Sequence, residues 1–280
     1  MEQESSEVRK SIVRVHFASS NTTLPYFNDS FDLQDGDIVF VDGKFEGQRG
    51  VVENITHNFK IRPSDYKRII SKGDTSLNGN LFMAGSHFVA FDRDVIPYEK
   101  ILSWYKAPAK DDEDYLTECD DTRFSLDHLA EMHVRREVVE RGGDYYQKNR
   151  VRYLCVDGTR GRAIVEGSKP YEVEFTLEGN EVVGLVCECF CDFVCKHDVA
   201  VLLQLRETLQ VIRENYAASY ENSGYFAAVD MGTVFTFAVE GKKNGGVRFG
   251  ENQISSQQPL QQSRTSPLEG FLPFRLLKRK

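Results

Sequence analysis

The sequence predicts an α+β fold, in which a β-rich, barrel-like N-terminal domain is followed by an antiparallel meander, a cysteine-rich turn and a helix. Three observations carry this prediction. Short apolar stretches with strand-like alternation recur through the first 105 residues. Four more follow in quick succession over residues 151–186, the first of them closed by an Asp-Gly turn. Four cysteines then fall within nine positions, directly before a helical pattern.

Residues 1–105 predict a β-rich domain of unknown role. Residues 11–17 alternate like a half-buried strand. Further strands are expected at 37–41, 51–55, 81–83 and 87–91. Strands of this length and spacing are typical of a small barrel or sandwich. Residues 106–124 combine an Ala-Pro-Ala segment with acidic runs, which indicates a solvated linker.

Residues 125–215 form the next predicted unit. Ser125 is placed to cap a helix over 126–141, which Gly142 and Gly143 would end. The meander follows, with strands expected at 151–156, 162–165, 171–177 and 181–186. After the cysteine cluster, apolar residues recur near a 3.6-residue period and predict a helix over 197–215.

The remaining residues predict a hairpin and a tail. The hairpin falls within 216–250 and uses strands at 225–229 and 233–239. Residues 251–280 are rich in Gln, Ser and Pro, which favours disorder.

The charge balance restricts the class of protein. The 280 residues contain 43 acids and 35 bases, a net charge of -8, and 40% are hydrophobic. This composition supports a proper core and argues against a uniformly basic nucleic-acid coat, although a local basic face is compatible with it. The polar N-terminal stretch and the absence of a long apolar run predict a cytoplasmic protein without membrane contact.

The cysteine cluster is the most informative motif, because a tight group in a cytosolic chain typically binds a metal. Zinc prefers four tetrahedral ligands drawn from thiolate and imidazole. Cys187 and Cys189 share one face where a strand ends, and Cys195 and His197 lie where the helix starts. We therefore predict one structural Zn²⁺ in a site that leads into the helix. Four protein ligands leave no open coordination position for chemistry.

Cys191 leaves one alternative open within this cluster. Cys189 and Cys191 also form a Cys-x-Cys pair, but only three residues would then separate Cys191 from Cys195. We favour Cys187 as the ligand and keep Cys191 as a nearby thiol or a reserve ligand.

The cluster resembles the SWIM-type zinc finger, whose pattern is Cys-x-Cys, a variable spacer, then Cys-x-His. Cys187, Cys189, Cys195 and His197 match it, and an apolar helical segment follows. The finger proper would span about residues 171–205, and the resemblance extends upstream to about Gly142. Similar fingers occur in bacterial proteins, chromatin-remodelling ATPases and transposases. The resemblance implies a module that binds DNA or protein.

Motifs of common enzyme classes are not found in the sequence. It contains no Gly-x-x-x-x-Gly-Lys-Ser/Thr phosphate loop, no Gly-x-Ser-x-Gly elbow and no His-Glu-x-x-His helix. We therefore predict no catalytic residues and no attached helicase or ATPase.

A locally basic segment points to one kind of partner. Residues 135–169 hold nine bases and five acids, with tyrosines among them. Bases reach phosphates and aromatic rings stack on unpaired bases, so this segment is a candidate nucleic-acid surface. Arg150 with Arg152, and Arg160 with Arg162, alternate in strand register and are the candidate contacts. The alternative is a solvated strand face.

Two functions are therefore compatible with the sequence. In the first, a zinc-binding SWIM-type finger mediates nucleic-acid binding. In the second, the finger is a protein–protein adaptor whose zinc is purely structural and whose partner is a separate helicase or ATPase.

Overall fold

The computed structural model describes residues 8–108, 122–191, 193–236 and 246–249. Its first sheet contains β1 (Ser11–Phe17), β2 (Thr22–Asn28), β3 (Ile38–Val41), β4 (Gly50–Thr56) and β5 (Ile69–Lys72). The strand order is β2-β1-β4-β3-β5, and all pairs are antiparallel. The alternation in β1 buries Val13, Val15 and Phe17, as the sequence predicts.

The expected barrel is replaced by an open sheet within the described residues. The edge strands β2 and β5 approach each other through one isolated bridge between Phe27 and Arg68, without a continuous ladder. Neither strand is predicted from the sequence. Pro25 disfavours a strand and is tolerated in β2 because β2 lies at the sheet edge.

The second sheet is larger. Its strands are β6 (Asn78–Ala84), β7 (Phe88–Phe91), β8 (Arg123–Ser125), β9 (Val151–Asp157), β10 (Arg160–Glu166), β11 (Pro170–Glu178), β12 (Glu181–Cys187), β13 (Tyr225–Asp230) and β14 (Gly246–Phe249). The order is β14-β6-β7-β13-β9-β10-β11-β12-β8. Only the β14–β6 pair is parallel among the described strands. The predicted meander, β9 to β12, is confirmed.

The second sheet extends across the predicted boundary at residue 105. Strands β6 and β7 come from the N-terminal region, yet β7 pairs with β13, and β13 pairs with β9. Leu81 and Phe91 lie in the same buried cluster as Tyr153 and Ile164, which explains why these strands join the larger sheet. Of the predicted linker, residues 109–121 lie outside the described part of the chain.

The helices are α1 (Tyr98–Ser103), α2 (Arg136–Gln147), α3 (Lys196–Val211), α4 (Ala217–Ser223) and α5 (Met231–Val234). A π-helical turn, Ile212–Tyr216, joins α3 to α4. The helix predicted after the cysteines is confirmed and continues past residue 215. Among the helices that the structure describes, none is long and apolar enough to span a membrane.

The helix predicted over 126–141 is displaced toward the C-terminus. Helix α2 starts at Arg136 and includes Gly142 and Gly143, which the sequence analysis placed at its end. Both glycines are buried. A Cβ atom on Gly142 would lie 2.5 Å from Val199 of α3, so this glycine permits close helix packing rather than termination.

The predicted C-terminal hairpin is not formed by the described residues. After β13, the chain turns into α5, because the Asp230 carboxylate accepts hydrogen bonds from the backbone N–H and the hydroxyl of Thr233 at 2.9 and 3.0 Å. Strand β14 pairs with β6 instead of β13. Residues 237–245 and the predicted tail at 251–280 lie outside the described residues.

One face of the second sheet carries the two helices that matter for the site. Val151, Leu154 and Val173 of the sheet share a buried cluster with Val199 and Leu202 of α3. This packing places the start of α3 beside the end of β12.

We expect Gly142→Ala to lower the free energy of unfolding by about 1–3 kcal/mol, because the new methyl group overlaps Val199. Helix propensity alone favours alanine by about 1 kcal/mol, so the sign separates the two effects. Urea titration measures the change, with Gln147→Ala in the same helix as the control. A Gly142→Ala/Val199→Ala double variant should lose less than the sum of the single changes; additive losses would contradict the contact.

Candidate metal centre

The structure brings the four predicted ligands to one point. Cys187 is the last residue of β12, and Cys189 lies two residues further on. Cys195 is the N-cap of α3, and His197 lies in its first turn. One ligand atom from each residue lies within 4.8 Å of every other. This donor set could hold a metal ion.

The separations fit a tetrahedral ion. The Nδ1 atom of His197 lies 3.6 Å from Sγ of Cys187 and 3.5 Å from Sγ of Cys195. Zinc bonds of about 2.0–2.3 Å in tetrahedral geometry place such atoms roughly 3.5–3.8 Å apart. Cys189 completes the set within the same 4.8 Å limit.

His197 presents Nδ1 to the sulfurs because aromatic rings fix its imidazole. The ring of Tyr171 stacks on it at 4.5 Å between centroids, and Tyr145 packs edge-on at 5.4 Å. The opposite atom, Nε2, is buried without a hydrogen-bond partner among the described residues. It faces Gly167, where a Cβ atom would lie 3.0 Å from it.

The electrostatic environment keeps the imidazole neutral. Burial lowers the pKa of His197 to about 4, and the neighbouring cations Lys196 and Arg141 act in the same direction. A neutral imidazole at physiological pH retains the lone pair that a metal needs.

The N-terminus of α3 positions Cys195 and His197. The backbone N–H of His197 donates to Sγ of Cys195 at 3.3 Å, and the N–H of Cys195 donates to Oδ2 of Asp198 at 2.8 Å. This reciprocal cap fixes the Cys195 side chain at the positive end of the helix dipole. Burial raises the pKa of Asp198 to about 6, although its hydrogen bonding with Cys195 acts in the opposite direction.

The pKa values of the Cys189 and Cys195 thiols are raised, and a bound cation would lower them. A hydrogen bond with Cys187, followed by burial, raises the pKa of the Cys195 thiol far above its ordinary value. Burial and then the nearby Cys195 raise the pKa of Cys189 to about 12. Without a positive charge among them, these groups favour protons; a divalent cation reverses that preference.

The remaining cysteines are not part of the four-residue group, although Cys191 forms hydrogen bonds with Cys189. Cys191 is exposed and does not belong to the four-residue group, so the geometry favours Cys187 over Cys191 as a ligand. Cys155 is buried on β9 in an apolar cluster. Cys119 lies outside the described residues.

Lys106 stabilises the part of the site that contains Cys187 and Cys189, and it is not predicted from the sequence. Its ammonium group bridges Glu172 of β11, at 2.6 Å, and Glu188 between the first two ligand cysteines. The Glu188 backbone N–H also donates to the Glu172 carbonyl at 3.0 Å. No local pattern signals this contact, because Lys106 is separated from Glu188 by 82 positions.

The four predicted nucleic-acid contacts do not form a free cationic face. Arg152 lies between Glu166, at 2.6 Å, and Asp230, at 3.2 Å. Arg162 pairs with Glu174 at 3.2 Å, and Arg150 lies 3.8 Å from Glu166. Arg160 is exposed and has no ion-pair partner among the described residues.

No protein-family model, curated protein or solved structure matches the chain.

We expect Cys195→Ser and His197→Ala to lose stoichiometric zinc and to unfold the region after about residue 150, because metal-binding energy is folding energy here. Cys191→Ser and Cys155→Ser, the matched controls, should each retain one zinc per chain. Elemental analysis after gel filtration, together with circular dichroism, measures both effects. Full zinc retention in Cys187→Ser would assign Cys191 as the ligand instead.

Zinc binding should release about three protons at pH 7, one from each cysteine ligand and none from His197. The pKa of His197, lowered to about 4, leaves that ring already unprotonated. Protons compete with zinc for the sulfurs, so affinity should rise with pH. Calorimetry in buffers of different ionisation enthalpy counts the protons. A release of four would mean that His197 enters the site protonated.

Proposed function

We propose that this chain is a zinc-binding module with a SWIM-type finger that binds nucleic acid through the face around the metal centre. The Cys3His set supports the zinc assignment, because its donors and separations suit a closed tetrahedral site. When bound, zinc supplies a fixed cross-link between the end of β12 and the start of α3. The chain's own residues would then supply the binding surface.

The observation that carries the proposal is a group of four basic residues near the metal centre. Arg135 lies over Phe193, Lys169 over Tyr171 and Phe190, and Lys196 over Tyr145, while Arg141 acts electrostatically on His197. Within the described part of the chain, none of the four forms an ion pair. We call Arg135, Arg141, Lys169 and Lys196 the metal-side bases.

The metal-side bases outweigh the charge of the centre itself. Three thiolates and one Zn²⁺ would leave one negative charge, against the four positive charges of these bases, in a chain that carries -8. Because the described residues place no carboxylate in an ion pair with these bases, a polyanion would contact them without displacing one from that part of the chain. The strand arginines would have to give up their ion pairs, which makes them the poorer candidates.

The alternative function is a protein–protein adaptor for a separate helicase or ATPase. Its support is the exposure of Phe190 and Phe193 beside the metal centre, since aromatic residues are enriched in protein interfaces. Salt separates the two functions, because phosphate contacts weaken steeply with ionic strength and apolar contacts weaken much less.

We expect the zinc-loaded chain to bind DNA oligonucleotides with an affinity that falls steeply with salt. Replacing Arg135, Arg141 and Lys169 together by glutamine should reduce the slope of log K against log salt by about 0.7 per lost contact on single strands. Fluorescence anisotropy at several salt concentrations measures the slope.

Two matched variants test the location of the face. Arg14→Gln neutralises an exposed arginine on β1, and Arg162→Gln removes a paired strand arginine; neither should change the slope. An equal reduction in Arg162→Gln would return the interface to the strand arginines. Absence of binding at low salt would favour the adaptor.

A further inference from the structure

The turn between the second and third ligands presents two apolar rings to solvent. Phe190 is 95% exposed and Phe193 is 67% exposed. The other exposed large apolar residues of the described chain range from 36% to 43%. Burying one such ring is worth about 1.5–3 kcal/mol, so the fold leaves a substantial apolar contact unused at two neighbouring positions.

Each ring has a cation beside it. The Lys169 ammonium lies 5.7 Å from the Phe190 ring centroid, and the Arg135 guanidinium lies 5.2 Å from that of Phe193. Both cations belong to the metal-side bases. A ring that is almost fully exposed with a cation near it still offers a free face to a planar ligand.

The metal centre would restrain the turn that carries the rings. Cys189 immediately precedes Phe190, and Cys195 lies two residues after Phe193. With both cysteines bound to one ion, the turn loses much of its freedom before any ligand arrives. Pre-organisation of this kind lowers the entropy cost of binding.

We propose that Phe190 and Phe193 stack on unpaired bases of single-stranded nucleic acid, while Lys169 and Arg135 contact the adjacent phosphates. This inference rests on the proposed function and names its substrate class. Aromatic rings with neighbouring cations match a polymer in which flat bases alternate with phosphates. In a duplex, base faces are covered by their neighbours, so stacking selects single strands.

The charges at the turn favour this ligand over an apolar protein surface. Lys106 bridges Glu172 and Glu188, which offsets one of their two negative charges. A protein partner would have to accommodate a cation beside each ring. Asp192 lies between Phe190 and Phe193 in the sequence and outside the described residues. The variant Asp192→Asn removes its negative charge from the turn.

The test uses the zinc-loaded full chain and three probes of equal length: oligo-dT, an abasic deoxyribose-phosphate strand, and a DNA duplex. Phe190→Ala and Phe193→Ala should each weaken oligo-dT binding by about 5- to 150-fold and leave abasic-strand binding unchanged. Phe190→Trp should retain oligo-dT binding, because indole also stacks. Ile70→Ala, an exposed apolar residue on β5, is the matched control and should have no effect.

Charge variants test the phosphate contacts separately from the stacking. Arg135→Gln and Lys169→Gln should weaken oligo-dT and the abasic strand alike, and Asp192→Asn should strengthen both. Measured zinc content shows whether each variant keeps its fold at the centre.

The outcomes separate the inference from the function on which it rests. Equal losses on oligo-dT and the abasic strand in the phenylalanine variants, or tighter binding to duplex, overturn base stacking while nucleic-acid binding stands. No binding of any probe at low salt overturns both. A loss confined to oligo-dT supports both.

Discussion

Three thiols and one imidazole lie within 4.8 Å of one another. The positions of the surrounding turn and of the metal-side bases depend on this cluster. Burial and mutual contact raise the pKa values of Cys189 and Cys195, so the cluster holds protons where it lacks a cation. Burial lowers the pKa of His197, which keeps its nitrogen free for a metal. A divalent ion would satisfy all four groups at once and would restrain the turn between Cys189 and Cys195.

The protein holds this cluster from both sides. On the strand side, the bridge from Lys106 to Glu172 and Glu188 ties the start of the turn to β11. On the helix side, the reciprocal cap of Cys195 and Asp198 fixes the first turn of α3. Gly142 lets α2 pack closely against Val199, two residues after His197. The candidate site is therefore held by contacts with β11 and α2 as well as by the strand and helix that carry its ligands.

The sequence predicts those parts of the site that depend on local spacing. The Cys187, Cys189, Cys195 and His197 set follows from the end of one strand and the start of one helix. Lys106 and the Gly142–Val199 contact depend on which distant segments meet, and no local pattern encodes that. The same limit explains why the sequence assigns β6 and β7 to the N-terminal region, since β13, the partner of β7, lies more than 130 residues further along the chain.

Local sequence likewise does not determine which charged residues lie opposite the strand arginines. Strand alternation correctly places Arg160 and Arg162 on one face, but register decides what lies opposite. Glu174 stands directly across from Arg162 in the β10–β11 ladder, and such cross-strand pairs neutralise each other. Bases at turns and helix starts have no such ladder partner: Arg135 is the N-cap of α2, and Lys196 is the first residue of α3. An acidic chain can therefore concentrate its available positive charge at turns and helix starts, which is also where the candidate ligands Cys195 and His197 lie.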